Sequence, residues 1–240
     1  MTGTQAKLKE LISKHNDIVF FGGAGVSTES GIPDFRSEDG LYSQKFDYPP
    51  ETMLSHAFFF SHTKEFYDFY RAKMICPGVK PNKAHLALAK LEREGKLKAV
   101  ITQNIDGLHT AAGSKNVFEL HGSVYRNRCL KCGRFFGLDA ITGCSGVPKC
   151  VCGGIIKPEV VLYGEQLESN TVNSAVSAIS QSDMLIVAGT SLTVYPAAGF
   201  LNCFNGDSLV LINRDPTPYD GRADLVIREK VGETLWECVG

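Results

Sequence analysis

The apolar residues of the chain follow two rhythms. Over 4–15 (TQAKLKELISKH), Leu8, Leu11 and Ile12 recur at a spacing of three to four, which predicts an amphipathic helix. DIVFF (17–21) is instead an unbroken apolar, β-branched and aromatic run that stops at glycines, as expected of a strand buried on both faces of a parallel sheet. KAVITQN (98–104), DMLIVAGTS (183–191) and SLVLINR (208–214) read the same way, and helical spacing returns over 83–94, 168–180 and 230–239. Strands that alternate with helices predict an α/β architecture, a parallel sheet covered by helices on both faces.

Two segments break this alternation. Residues 37–80 carry Phe58, Phe59, Phe60, Phe66, Tyr67, Phe69 and Tyr70 at helical spacing, and 124–157 hold most of the cysteines. Both read as insertions that pack together as a smaller domain, the aromatic stripe forming core. The boundaries implied are 1–36, 81–123 and 158–240 for the large domain, with 37–80 and 124–157 forming the small one.

Composition narrows the function classes. The 240 residues carry 25 basic and 26 acidic side chains, a net charge of −1, which argues against a polyanion binder driven by bulk charge. The apolar runs are far shorter than the roughly 18 residues of a membrane helix, so no membrane is expected as a partner. The N-terminal MTGTQAKLKELISKH has no apolar core of a secretory signal, and the expected location is cytoplasmic.

Cysteine adds a metal. Five of the eight cysteines fall between 129 and 152, and without a secretion signal a disulfide framework is not expected. Cys129-x-x-Cys132 and Cys150-x-Cys152 have the look of a zinc ribbon, with Cys144 as an alternative ligand and Gly133 and Gly153-Gly154 freeing the turns. Four thiolates leave no open position, so one zinc ion would be structural.

Candidate chemistry sits at the ends of the strands. GGAGVSTESGIPDFR (22–36) follows the first strand with a glycine loop suited to a phosphate at the start of a helix, although its third glycine position is Thr28. Thr102-Gln103-Asn104-Ile105-Asp106-Gly107 brings amides and a carboxylate suited to ribose and a carboxamide. Glu119-Leu120-His121-Gly122 offers an imidazole that could serve as a general base near neutral pH. Gly189-Thr190-Ser191 and Asn213 end two further strands with small or polar groups.

These motifs together resemble the sirtuins, NAD-dependent protein deacylases: GAGVSTESGIPDFR, TQNIDGLH, ELHGS, the four-cysteine ribbon, KPEVVLYGE, GTSLTVYPAA and LINRD run in family order. Without long terminal extensions, the chain is similar to compact bacterial members. The resemblance implies a Rossmann-like NAD-binding domain, a small domain made of a zinc ribbon and a helical insertion, and NAD as a co-substrate. The acyl group of an acyl-lysine protein would pass to ADP-ribose, with nicotinamide released. It further implies His121 as general base on the ribose hydroxyls, with Asn104 and Asp106 also catalytic. Ala24, Gly25, Thr28, Asp34, Phe35, Arg36, Gln103, Ile105, Gly189, Thr190, Ser191, Asn213, Arg214 and Val231 would join these three in binding NAD. Val160, Val161, Leu162, Tyr163, Gly164 and Glu165 would form the edge along which a substrate peptide adds as a strand. Tyr163 stands where the family usually has Phe. Sirtuins that prefer acidic acyl groups carry Tyr-x-x-Arg, whereas here Tyr67-Asp68-Phe69-Tyr70 places Arg71 one position late. A neutral acyl group such as acetyl is therefore expected.

Two other functions compete. ADP-ribosyl transfer to protein could use the same pocket but needs no base such as His121. A nucleic-acid-binding ribbon would draw on Arg126, Arg128, Lys131, Arg134, Lys149 and Lys157, which face only Asp139 within 124–157. Two charges lost to the zinc–thiolate centre reduce that excess, and nucleic acid is not expected as a partner.

Overall fold

The computed structural model describes residues 1–37 and 40–239. Helix α1 (Gly3–Lys14) leads into β1 (Ile18–Gly22), and α2 (Pro50–Met53), α3 (His56–Ser61) and α4 (Thr63–Lys73) follow. Next come α5 (Lys83–Arg93), β2 (Leu97–Thr102), α6 (Leu108–Ala111), β3 (Val117–Glu119), β4 (Gly122–Cys129), β5 (Phe135–Phe136) and α7 (Asp139–Thr142). The chain closes with β6 (Ile156–Val160), α8 (Ser169–Gln181), β7 (Met184–Ala188), β8 (Ser208–Ile212), β9 (Leu225–Ile227) and α9 (Val231–Val239).

Local chemistry sets the helix starts. Thr2 and Gln5 satisfy each other's backbone N–H groups in a capping box ahead of α1. At α5 the Asn82 side chain accepts from Ala84 N at 2.8 Å, and the Asn82 N–H points to His85 Nδ1 at 3.2 Å.

Six parallel strands form one sheet in the order β3-β2-β1-β7-β8-β9. Alternate residues of β1 serve opposite faces. Ile18 and Phe20 join the core beneath α1, α5 and α9, while Val19 and Phe21 join the core beneath α8 and the 197–203 turn. All five residues of β1, β7 and β8 are buried, which is why they read as unbroken apolar runs. Each such apolar side chain removed from water stabilises the fold by about 1.5–3 kcal/mol.

A second sheet, antiparallel in the order β5-β4-β6, belongs to a separate hydrophobic core. There Phe58, Phe59, Phe66, Tyr67, Phe69 and Tyr70 pack with Val124, Ile141, Ile156 and Leu162. Phe59, Phe66 and Tyr67 meet edge to face at centroid distances of 4.9–5.9 Å. Phe60 is the exception in the stripe, 53% exposed.

The strands are shorter than the apolar runs suggest, for local reasons. β2 stops at Thr102 because the Thr102 hydroxyl accepts from Asn104 N at 3.0 Å and turns the chain. β7 stops at Ala188 because Gly189 takes a left-handed φ of +59°. The helix expected after the first glycine loop is replaced by two 3-10 turns, Ala24–Val26 and Thr28–Ser30. β9 had no counterpart in the apolar pattern.

Candidate active site

Strand order reverses between β1 and β7, so the chain leaves these two strands in opposite directions and opens a crevice at their carboxyl ends. Main chain meets main chain there: Gly25 N donates to Gly189 O at 2.8 Å. A Cβ on Gly189 would lie 2.6 Å from Gly25 C, and one on Gly25 would lie 2.8 Å from Gly189 Cα, so neither position has room for a side chain. Gln103, just past β2, donates from Nε2 to Thr190 Oγ1 at 3.1 Å, drawing a third strand end into the group.

Beneath this edge lies a chain of polar contacts. Asn104 Nδ2 donates to Ser27 Oγ at 3.0 Å, and Ser27 Oγ donates to Asp106 Oδ2 at 2.6 Å. The other Asp106 oxygen accepts from Leu108 N at 2.9 Å. Ser27 is only 1% exposed and Asn104 9%, so both are held where a lost partner is costly.

His121 follows β3 and is half-buried. Its Nδ1 lies 2.9 Å from Gln103 O, and a carbonyl can only accept, so Nδ1 carries the proton and Nε2 keeps a free lone pair. Burial lowers the imidazole pKa, partly opposed by this hydrogen bond, and the ring is therefore neutral at pH 7. The His121 carbonyl accepts from Val161 N at 3.0 Å. Gly122 has φ +77°, and a Cβ there would run into Glu159 O, so the glycine lets β4 pass close to β6.

The remaining candidates surround this group. The Asp34 carboxylate accepts from Arg36 N and Ser37 N at 3.0 and 2.8 Å, folding 34–37 into a tight turn. Phe35 packs on the second core, as does Ile105, whose carbonyl accepts from Val124 N. Thr28 is exposed, and its hydroxyl donates to Gly25 O. The Ser191 hydroxyl lies 2.8 Å from that of Thr193. Asn213 and the exposed Arg214 follow β8, one strand further along the same edge. Val231 is buried in the main core at the start of α9, where Gly232 N donates to Glu29 Oε1 at 2.7 Å.

Along 160–165 the backbone is already partly engaged. Tyr163 N donates to Leu54 O at 3.0 Å, and Tyr163 O accepts from His56 N at 2.9 Å. The Glu165 carboxylate accepts from Leu162 N at 3.0 Å and meets Lys157 Nζ and His56 Nδ1 at 3.1 and 2.9 Å. These bonds outweigh its burial and lower its pKa. Leu162 is buried, and Tyr163 is 40% exposed.

The cysteine pairs converge. The sulfurs of Cys129, Cys132, Cys150 and Cys152 all lie within 4.8 Å of one another, with Cys129–Cys152 at 3.5 Å and Cys132–Cys150 at 3.7 Å. A tetrahedral ion with bonds of about 2.3 Å spaces its sulfurs about 3.8 Å apart, so this quartet fits one zinc. The Cys132 backbone N–H leads in pulling the Cys129 thiol down to about 6, towards the thiolate a metal needs. Cys144 is not one of the four. Its sulfur accepts from Arg71 at 3.2 Å, and the same guanidinium donates to the carbonyls of Ile141 and Gly146. Arg71 thus clamps α4 to the cysteine segment.

Residues 23–196 match the Sir2 family model. The chain belongs to the Sir2 family. Two relatives described as NAD-dependent protein deacetylase are similar along almost their whole length. One, from Clostridium tetani, is 60% identical over 236 residues, covering 97% of this chain and 96% of its own; another, from Clostridium acetobutylicum, is 58% identical over 233 residues and 95% of each. Among solved structures, a Sir2 homolog–NAD complex superposes with a TM-score of 0.89 at 40% identity, covering 98% of this chain and 92% of that one. A Sir2 bound to a p53 peptide and NAD+ gives 0.86 at 40% identity, covering 98% and 96%.

In this Sir2-family chain, Gly25, Gln103, Asn104, Asp106, His121, Gly189 and Thr190 are joined by direct or one-residue contacts at one crevice. Ser27 is the member that inspection of the motif did not single out, although it links Asn104 to Asp106. Its place two residues after Gly25 was the available signal. The residues present suit NAD: a side-chain-free glycine seam, hydroxyls and amides for phosphate and ribose, and a carboxylate-anchored amide network beneath.

Proposed function

We infer that this chain is an NAD-dependent protein deacetylase that moves the acyl group of an acyl-lysine side chain to ADP-ribose and releases nicotinamide. NAD supplies the ribose carbon that accepts the acyl oxygen, its positively charged nicotinamide being the leaving group. The chain's own contribution is positioning, exclusion of water and one proton acceptor. Asn104 and Asp106, braced through Ser27, hold the nicotinamide and ribose end. Ala24, Gly25, Thr28, Gly189, Thr190 and Ser191 receive the phosphates and adjoining sugar, and Asn213, Arg214 and Val231 the far nucleoside. Asp34 shapes the turn that carries Phe35, which keeps water from the reacting face, and Arg36. His121 Nε2 accepts a proton from a ribose hydroxyl. The observation that carries this reading is the His121–Gln103 hydrogen bond, which leaves a neutral imidazole with a free Nε2 beside the Asn104–Ser27–Asp106 chain.

The substrate peptide runs along 160–165 between the two cores, with Val160, Val161 and Leu162 walling the acyl-lysine. The acyl group is neutral, since Arg71 is spent on the 141–146 carbonyls and Cys144. The proposal divides the chain into a nucleotide domain (1–36, 81–123, 158–240) and a small domain (37–80, 124–157) that a single zinc ion holds. Nucleic acid has no part in it. Arg126, Arg128 and Lys157 are paired with Glu119, Glu159 and Glu165, which occupies three of the ribbon's six basic side chains. No helix among the described residues is long and apolar enough to cross a membrane, and a four-thiolate metal centre suits a reducing compartment such as the cytoplasm.

The test is nicotinamide release from NAD across a panel of acyl-lysine peptides, with mass spectrometry of both products. Acetyl lost from the peptide and gained by ADP-ribose is the expected result. A mass gain of ADP-ribose on protein, with acetyl-lysine intact, would overturn it.

A further inference from the structure

Tyr42 joins the turn assigned to NAD to the edge assigned to peptide. Its N–H donates to Phe35 O at 2.9 Å, its ring meets that of Phe35 edge-on at 5.8 Å, and the Arg36 guanidinium lies 5.5 Å from its centroid. Whatever displaces Tyr42 therefore displaces Phe35 and Arg36. At its other end, Tyr42 OH donates to Glu51 Oε1 at 2.7 Å and lies 3.1 Å from Tyr163 OH. A phenol has one proton. With that of Tyr42 given to Glu51, Tyr163 must be the donor to Tyr42, and the order is Tyr163 O–H to Tyr42 O–H to the Glu51 carboxylate. Each bond in such a chain polarises the next. Tyr163 is itself fixed, since its N–H and C=O are held by Leu54 and His56 on either side of Ser55.

We propose that Tyr42 and Tyr163 are positioning residues whose hydroxyl contact couples occupancy of the peptide edge to the placement of the Phe35–Arg36 turn on the nucleotide. The contact needs the tyrosine hydroxyl at 163, since a phenylalanine there has no proton to give. The inference rests on the deacetylase reading and deepens it: the enzyme favours NAD once an acyl-lysine peptide is in place. Reciprocity requires the converse as well, so nucleotide must tighten peptide by the same factor.

The test is the affinity for ADP-ribose, measured by calorimetry with and without a saturating acetyl-lysine peptide, alongside nicotinamide release from NAD. In the wild-type protein the peptide tightens ADP-ribose. In Tyr163→Phe that tightening falls about 3- to 10-fold, the worth of one partly exposed hydroxyl bond, and in Tyr42→Phe, which also gives up the bond to Glu51, it falls at least as far. The double variant is no worse than Tyr42→Phe alone, because the two hydroxyls act on each other through one contact. A general loosening of the fold would instead lower the melting temperature and weaken ADP-ribose equally in both conditions. That result, a wild-type ratio of one, or losses that multiply in the double variant would each overturn the proposal. Absent nicotinamide release by the wild-type protein would strike at the deacetylase reading itself, whereas normal release with unaltered ratios strikes only at the hydroxyl chain.

Discussion

His121 Nδ1 and the carbonyl oxygen of Gln103 are 2.9 Å apart, and this one bond fixes which nitrogen of the ring can take a proton. His121→Ala should lower deacetylation turnover at least about 100-fold, the usual loss on removing a general base. Because burial lowers this pKa, the acid limb of the wild-type rate should fall at a pH below the roughly 6.5 of a free histidine. Steady-state rates from pH 5 to 8 check both points. Near-normal turnover in the alanine variant would remove His121 from the reaction.

Two other histidines should govern stability in acid. His85 and His109 are buried with their rings 4.6 Å apart, and loss of solvent lowers both, His85 to about 4. Both are neutral in the fold, while the unfolded chain takes up protons near pH 6.5. The stability they contribute is fully present above that pH and is lost as pH falls from about 6.5 towards 4. For His85 alone this is on the order of 3 kcal/mol. Urea midpoints of wild type and His85→Asn should therefore draw closer between pH 7.5 and pH 5. A gap that stays constant refutes the assignment.

Loss of zinc should unfold rather than merely slow the protein. Structural zinc contributes on the order of 10 kcal/mol in small metal domains, comparable to a whole domain's stability. Chelation, or Cys129→Ala, should release the core that holds Phe59, Tyr67 and Ile156, read as a lowered melting temperature together with lost tyrosine near-ultraviolet dichroism. Unchanged melting after complete zinc removal would contradict a structural role.

Ser27→Ala tests the polar chain beneath the crevice. It deletes one hydroxyl but leaves both Asn104 Nδ2 and Asp106 Oδ2 short of a partner, a cost of about 1–3 kcal/mol. The KM for NAD should rise about 10-fold, with a smaller change in the KM for peptide. Equal effects on the two substrates would mean that Ser27 serves the fold alone.

The contrast between these elements explains what could be read from residues alone. β1, β7 and β8 are buried on both faces, so each prints at least four apolar residues in a row. β9 has only Leu225, Val226 and Ile227 between Asp224 and Arg228, too short a run to separate from a loop, and β3 is no longer. The cysteine quartet was legible because metal ligands come in close pairs along the chain. Ser27 acts on partners 77 and 79 residues away, and Tyr42 on one 121 residues away, distances over which no periodicity speaks. Arg71 shows the same limit: its one-place offset was visible in the sequence, but its grip on the 141–146 turn was not.

The contact between Gly25 and Gly189 carries a consequence for how such an enzyme can diversify. A seam built of main chain alone offers no side chain to exchange there, so drift or selection for new acyl groups must work through the walls and rim of the crevice.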